Sequence, residues 1–482
     1  MDKKAMLGHK VRRLRQAQGL TQAEMAEQIG ISPSYLNLIE RNQRPVTVPM
    51  LFRLGQAFEV DLRDFAEDEE ARLAAGLSEV FGDALFEGQD LKQQDIRELA
   101  SASPAAAQAV LTLYKAYRDL WEDAQALAHR VGGGDDRPQQ QAGDGHAFAI
   151  EEVRDFQEAH SNHFPEVEEA ALELRAAALP TAAAGDDPYP ALAAYLGEAH
   201  GLGVRVMPVS VMQDTERRYD MHRRRVLLSE ALPRSTRTFQ LAAQVALLTR
   251  RELLDRIVAG ANLQGDTARR LLRVGLAGYF AAAVMMPYGP FLEAARELRH
   301  DLALLQRRFG ASFEQVCHRL TTLQRQGERG VPFFFIRIDK AGNVSKRYSG
   351  GGFPFARFGG PCPRWVIHDA FASPGLIRTQ IAEMPDGTAF FTIARTLDPS
   401  AGWHRPQSPH FAIGLGCALK DAKHLVYADG LDPKSPQARE PIGVSGRVCE
   451  RLDCAQRAHP PLNHRLRVDE HVRRATPFTF AG

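Results

Sequence analysis

Nothing in this sequence is long, apolar and unbroken. No hydrophobic run approaches the roughly 20 residues a helix needs to cross a bilayer, so no membrane span is expected. The first residues, MDKKAMLGHKVRRLRQ, are basic, but no apolar stretch follows them, so they do not read as a signal peptide. A cytoplasmic location is the expectation. Cysteine is scarce and odd in number: Cys317, Cys362, Cys417, Cys449 and Cys454. An odd set of thiols in a large chain argues against a disulfide framework. An excess of one charge is also missing. The formal net charge is +1, and the balance as a whole points to no class of partner. No internal repeat is present, which leaves out solenoid architectures.

The charge is unevenly spread, however. Lys3, Lys4, Lys10, Arg12, Arg13, Arg15, Arg41 and Arg44 face only four acids in residues 1–50, a pointer to nucleic acid at that end. With 482 residues the chain exceeds one core. Residues 1–66 and 67–130 are dense in helical periodicity. VGGGDDRPQQQAGDG is nearly devoid of apolar residues, so residues 131–147 are expected to be a flexible linker. Residues 148–330 read as helical again, with strand candidates at VRVMPVS and RRRVLLSE. From 331 to 482, short β-rich runs such as VPFFFIRIDKAGN, FAIGLGCAL and HLVYADG alternate with turns, as in an α+β domain. The expected fold class is multidomain and mainly α, with a helix-turn-helix head, a helical middle and an α+β C-terminal domain.

The head carries the most specific motif. Val11, Leu14 and Ala17 mark a first helix closed by Gly19. Thr21 caps a second helix, with Glu24 completing a capping box. Gly30 ends that helix at a position favouring positive φ. Ser32 caps a third helix with Pro33 at its first turn. Helix, tight turn, helix at this spacing presents the N-terminal residues of the last helix to the major groove. Ser32, Ser34, Tyr35 and Asn37 are therefore candidates for bases or phosphates, with Gln22, Arg41 and Arg44 for the backbone. A plain three-helix bundle is the alternative. TQAEMAEQIGISPSYLNLIERNQRPV resembles the XRE, lambda-repressor-like family almost position by position. In that family the residue matching Glu40 is mainly structural. Such heads bind palindromic double-stranded operators in pairs, so a homodimer or homotetramer is expected. Leu113, Tyr117, Leu120 and Trp121 form a candidate contact stripe, or pack on their own chain.

In the middle, RRRVLLSEAL, RTFQLAAQVALL and LAGYFAAAVMMPYGPFLEAA resemble the M78 peptidase family of phage-repressor-cleaving and radiation-response proteins. The resemblance implies a helix that, in those enzymes, bears His-Glu-x-x-His: two zinc ligands one turn apart and a Glu that activates water. Here Ala243 and Leu247 carry no ligand atoms and Gln244 is no carboxylate base. His222 and His300 read as isolated, ordinary exposed histidines. No enzyme is expected; the segment reads as a scaffold whose former cleft is free for another role.

Four thiols, Cys362, Cys417, Cys449 and Cys454, come from three tail segments, the last two in a charged, helix-leaning stretch. Converging thiolates suit zinc or an iron–sulfur cluster, although neither the zinc nor the ferredoxin spacing is present; buried, unlinked thiols are the alternative. An XRE head, a linker, a peptidase-like segment without its zinc motif and such a tail together resemble the regulators of short-chain acyl-CoA metabolism. That resemblance implies an acyl-CoA effector, propionyl-CoA or a related thioester, and favours a [4Fe–4S] cluster on the four thiols, with zinc the alternative. Members often carry a further Cys where Gly446 stands here. A CoA thioester asks for cations, an aromatic platform and a small pocket. Lys346, Arg347, Arg357, Arg364 and Arg395, with Phe353, Phe355 and Trp365, are the candidate parts. The sequence thus reads as a DNA-binding regulator sensing an acyl-CoA. The rivals are a phage-type or antitoxin-like repressor with a protein partner, and a repressor-cleaving metallopeptidase.

Overall fold

The structure is a computed structural model. It describes residues 8–58 apart from 42, 45 and 47, then 68–86, 93–117 apart from 115, 146–180, 187–356, 360–397, 410–446 apart from 434, and 449, 451, 453–457 and 471. The expected linker at 131–145, Leu120, Trp121 and Arg357 lie outside the described residues. Two compact units are formed, Met1–Leu113 and Tyr114–Gly482.

The first unit begins with helices α1 (Gly8–Ala17), α2 (Gln22–Gln28), α3 (Pro33–Glu40) and α4 (Val48–Phe58). Val11, Met25, Ala26, Ile29, Leu36, Ile39, Met50 and Leu54 meet in one small core. The α2–α3 turn is short because its two ends are chemically specified. Thr21 accepts from the Glu24 N–H while the Glu24 carboxylate accepts from the Thr21 N–H at 2.7 Å. Gly30 turns the chain at φ +66°, a region L side chains avoid. Ser32 then caps α3 through the Tyr35 N–H at 3.1 Å. Helices Asp68–Phe81 and Gln93–Ala102 pack on each other in the same unit.

The second unit starts with helices His146–Ala159, Pro165–Ala178 and Tyr189–His200. A three-stranded sheet follows, ordered β1 (Gly203–Met207), β3 (Arg225–Ser229), β2 (Arg217–Asp220), with β1 parallel and β2 antiparallel to β3. Strand β2 is absent from the sequence reading. Its inward residues are Arg217 and Tyr219 rather than aliphatics, so it shows no apolar alternation. Helices Arg234–Thr249 and Asp266–Met285 pack tightly over this layer, and helices Tyr288–Glu297, Leu302–Phe309 and Phe313–Thr321 complete the helical part. Among the described residues no single helix is long and apolar enough to cross a membrane.

The tail forms a six-stranded sheet in the order β5-β4-β8-β7-β6-β9. Its strands are β4 (Phe334–Asp339), β5 (Val344–Tyr348), β6 (Arg378–Glu383), β7 (Ala389–Thr396), β8 (Phe411–Ala418) and β9 (Arg439–Pro441). Every pairing is antiparallel except β6 with β9. Side chains alternate between two buried faces. Phe335, Ile381, Phe391, Ile393, Ile413 and Leu415 join the helical residues Tyr288, Phe291, Leu305 and Val316 in one core. Phe334, Ile336, Phe390 and Ala412 face a second core with Phe353, Trp365 and Ile367. Residue 331 therefore marks a change of element type inside one shared core, not a gap between two. HLVYADG, read as β-rich, instead forms a 3-10 turn at Val426–Ala428. Its Val426 N–H donates to the Arg299 carbonyl and its Tyr427 hydroxyl accepts from Leu302 N–H, so no neighbouring strand holds it.

One buried ion pair ties the helices together. Arg319 donates to Glu168 through two nitrogens, at 2.6 and 2.9 Å, and to the Met286 carbonyl at 2.9 Å. The Tyr279 hydroxyl donates to the same carboxylate at 2.6 Å. Burial pushes the Glu168 carboxyl up, but the charge and hydrogen bonds of Arg319 overcome it, and the group rests below the usual range.

Candidate effector pocket and DNA interface

The head places its candidate DNA residues on and around α3. Ser34, Arg41 and Arg44 are exposed, and Tyr35 and Asn37 are half-buried. The Ser32 hydroxyl is already occupied as the helix cap. Beneath them, buried Glu40 accepts from Arg15 at 2.7 Å and from the Gln22 amide at 2.7 Å, joining α1, α2 and α3. Burial raises its carboxyl and those two donors bring it below its ordinary value. One amide hydrogen of Gln22 is thus committed inward, which leaves the second for an outside acceptor.

In the middle segment, the helix Arg234–Thr249 carries Ala243, Gln244 and Leu247 where a zinc site would lie. Ala243 is part of the core and Leu247 packs against it, so the ligand face is filled with hydrocarbon. His222 is exposed, as expected. His300 is not: it is buried, with its ring against Phe333 and its Nδ1 at 3.1 Å from the His424 carbonyl. The sequence suggested exposure because polar residues surround it; the turn at φ +58° folds the ring inward instead. Burial pushes its pKa down, favouring the neutral ring.

A cavity of about 290 Å³, counting its open mouth, lies on the face of the large sheet away from the helices. Arg347, Phe353, Phe355 and Trp365 all line it, with Pro361 and Gly443 among their neighbours. Phe353 stacks between Phe334 and Trp365, at 4.3 and 4.9 Å between ring centres, and Phe355 lies 5.0 Å from Phe353. The Trp365 indole N–H is buried without a hydrogen-bond partner among the described residues. Arg347 donates to the Ala356 carbonyl, which pins the loop, and to Glu151 at 2.6 Å.

The other candidate cations are elsewhere. Lys346 pairs with Glu314 at 3.0 Å and Arg395 lies over the Phe313 ring, both on the helix-covered face. Strand neighbours alternate, so Lys346 cannot share the Arg347 face. Arg364 pairs with Glu440 at 2.7 Å.

The four-thiol set does not assemble. Cys417 points into the core shared with the helices, whereas Cys362 belongs to the opposite core. Cys362, Cys449 and Cys454 do share a side, and the latter two lie near enough to disfavour ionisation of Cys362, whose thiol is raised chiefly by burial. An added Cβ at Gly443 would come within 2.6 Å of the Cys449 sulfur, so only glycine fits between the pocket and this loop. The loop is not helical at its described residues. Arg457 shapes it by donating to the Gly446 and Cys449 carbonyls, at 2.7 and 2.9 Å. Among the described residues no three His, Cys, Asp or Glu side chains converge on a metal position.

Comparison with known proteins follows this division. Residues 11–65 match a helix-turn-helix family, 198–321 the M78 peptidase family with its IrrE N-terminal-like domain, and 322–478 the short-chain fatty acyl coenzyme A regulator C-terminal family. The chain is 41% identical over 478 residues to the propionyl-CoA carboxylase regulator of Cereibacter sphaeroides, covering 99% of each. It is 38% identical over 472 residues to the HTH-type transcriptional regulator PrpR of Mycobacterium tuberculosis, covering 98% of this chain and 95% of that one. The chain belongs to the short-chain fatty acyl coenzyme A regulators.

A solved Mycobacterium tuberculosis transcriptional regulator is 40% identical, with a TM-score of 0.65, over 69% of this regulator and 99% of that chain. Like its relatives, the regulator carries a DNA-binding helix-turn-helix head and acts in transcription. Its acyl coenzyme A regulator segment contains the whole large sheet, the aromatic cavity and the thiol loop. Sequence reasoning missed Glu151, Pro361 and Gly443. Glu151 sits 196 residues from its partner Arg347, and no local pattern announces such a pair.

Proposed function

We propose that a short-chain acyl-CoA, propionyl-CoA first among them, is the effector of this regulator and occupies the aromatic cavity. The observation that carries the reading is the meeting of Arg347, Phe353, Phe355 and Trp365 at one opening. Most of that volume is open mouth and the closed part has room for about one water, so a short acyl end would enter as the side chains at the mouth part, with the nucleotide left outside. The free indole N–H of Trp365 is a donor for the thioester carbonyl. Arg347 offers a route to the head. Its Glu151 partner lies on His146–Ala159, and a CoA phosphate competing for the guanidinium would release that helix. Two heads, joined through a contact that includes exposed Leu113 and Tyr117 (73% and 38% exposed), would then grip a palindromic operator differently. Ser34, Tyr35 and Asn37 would read bases, with Gln22, Arg41 and Arg44 on phosphates and Ser32 presenting the helix start. The chain does this without peptidase chemistry, because Ala243, Gln244 and Leu247 supply neither ligand nor base.

The full-length protein tests this. Its affinity for a duplex from upstream of its own gene, followed by fluorescence anisotropy, should change about tenfold or more with saturating propionyl-CoA and not with free propionate. Indifference to acetyl-, propionyl- and butyryl-CoA at millimolar levels would sink the effector reading. A tight protein partner recovered in that case would favour the antitoxin-like alternative.

The thiols bear on a metal separately. With Cys417 excluded, three remain, and the Gly446 departure now matters because that position supplies no fourth. Cys362, Cys449 and Cys454 share a side without converging on one position; they would be the donors of an iron–sulfur cluster or zinc only by closing up around it, which would draw together the loop beside Gly443. Anaerobically purified Cys417→Ser should keep its full iron or zinc content, whereas Cys449→Ser should lose it; equal loss in both would restore the four-thiol set.

A further inference from the structure

We infer that the exposed face of the small sheet is a second contact for the sugar–phosphate backbone of DNA, in addition to the head. The inference rests on the DNA-binding reading of the chain. Residues 216–225, ERRYDMHRRR, hold five arginines against two acids, and the sheet register sets two of them, Arg218 and Arg225, on one face with Arg205. Arg205 and Arg218 both stand opposite Leu227, one on each side, so the three make one row across the strands. Arg225 lies two residues along β3 on the same face, between Gly203 and Asp220. Its stem leans over Gly203, where an added Cβ would meet it at 3.5 Å.

The other face is core: Val226 and Leu228 are fully buried, and Val204 and Tyr219 pack beside them. Arg205, Arg218 and Arg225 are exposed, as is Arg223 in the turn. Among the described residues none of these four has a carboxylate within ion-pair distance. Elsewhere on the same unit Arg234, Arg273, Arg299, Arg308 and Arg439 each hold a carboxylate. The fold gains nothing from such self-repulsion.

The surface is open, with charges about 7–10 Å apart by strand geometry. Small anions are held by converging groups in concave sites; a flat, repeating row suits a polymer of phosphates. Such contacts add affinity without reading sequence. Because the head already holds the duplex, the tethered sheet meets DNA at a high effective concentration, so weak contacts count.

The test compares the full chain with the triple variant Arg205→Gln, Arg218→Gln, Arg225→Gln. Binding is measured across a salt series to the upstream duplex and to a random-sequence duplex of equal length. The slope of log affinity against log salt should become shallower by about 3, weakening both duplexes alike. The matching triple lysine variant should retain the wild-type slope. In contrast, Asn37→Ala in the head should lower the preference for the upstream duplex and leave the slope. An unchanged slope in the glutamine variant would overturn the contact, and weakened propionyl-CoA binding alongside it would assign the patch to the phosphates of CoA. Wild-type protein that binds neither duplex would overturn the DNA-binding reading itself.

Discussion

Replacing Arg319 with leucine should cost the second unit about 3–5 kcal/mol of stability, the range for breaking a buried ion pair by removing one partner. The guanidinium is fully buried, and its Glu168 partner is 4% exposed in the side chain. Leucine leaves that carboxylate in the core with only the Tyr279 hydroxyl as a close donor. All three tryptophans, Trp121, Trp365 and Trp403, fall within Tyr114–Gly482, so indole fluorescence during urea unfolding reports this unit and not the head.

The pH response distinguishes this cause from simple loss of packing. In the wild type the Glu168 carboxyl is held below its ordinary value. Its contribution is therefore present above that ordinary value and is lost as pH falls through the folded one. Without Arg319 only burial remains as the dominant influence, and the folded value lies above the ordinary one. Stability should then fall as pH rises from the ordinary value to the raised value, the reverse of the wild type. The double replacement Glu168→Leu, Arg319→Leu should recover most of the loss, since a hydrophobic pair of similar volume often replaces a buried ion pair at little cost. A double variant no more stable than the single one would show that the helices are held by something else.

Phe355→Ala should weaken propionyl-CoA binding about 10- to 100-fold, the effect of removing an aromatic anchor worth roughly 1.5–3 kcal/mol. Phe353 and Trp365 are buried and help build the core, so truncating them would damage folding as well as binding. Phe355 is half-buried at the pocket wall, with its ring tilted 81° to Phe334 and 57° to Phe353. Calorimetric titration of the effector measures the loss, and operator affinity without effector should stay at the wild-type value. Unchanged effector affinity would move the ligand away from this cavity.

Local chemistry was legible in the sequence; sidedness and distant pairing were not. The caps of α2 and α3 could be read from Thr21, Glu24, Ser32 and Pro33 because each acts within a few residues of itself. The missing ligands at Ala243 and Leu247 were equally plain, since spacing on one helix fixes which residues share a face. Cys417 shows the limit. FAIGLGCAL is apolar or glycine throughout, because β8 is buried on both faces, so no polar alternation says which way the thiol points. Gly416 marks the other side: an added Cβ there would come within 2.3 Å of the Phe334 ring. The candidate cations failed for a related reason. Arg347 and Lys346 are adjacent in sequence yet are claimed by Glu151 and Glu314 from separate helices, and only tertiary structure brings those acids in.

The core that joins Tyr288, Phe291 and Val316 to the large sheet also limits how the molecule can be cut. A fragment starting at residue 331 would keep every strand of the large sheet yet lose the hydrocarbon roof over Phe335, Phe391, Ile413 and Leu415. A sheet bared along one side seeks other sheets. The helices of the M78-like segment therefore roof the sheet of the acyl coenzyme A regulator segment, and any transplant of that segment must carry those helices with it.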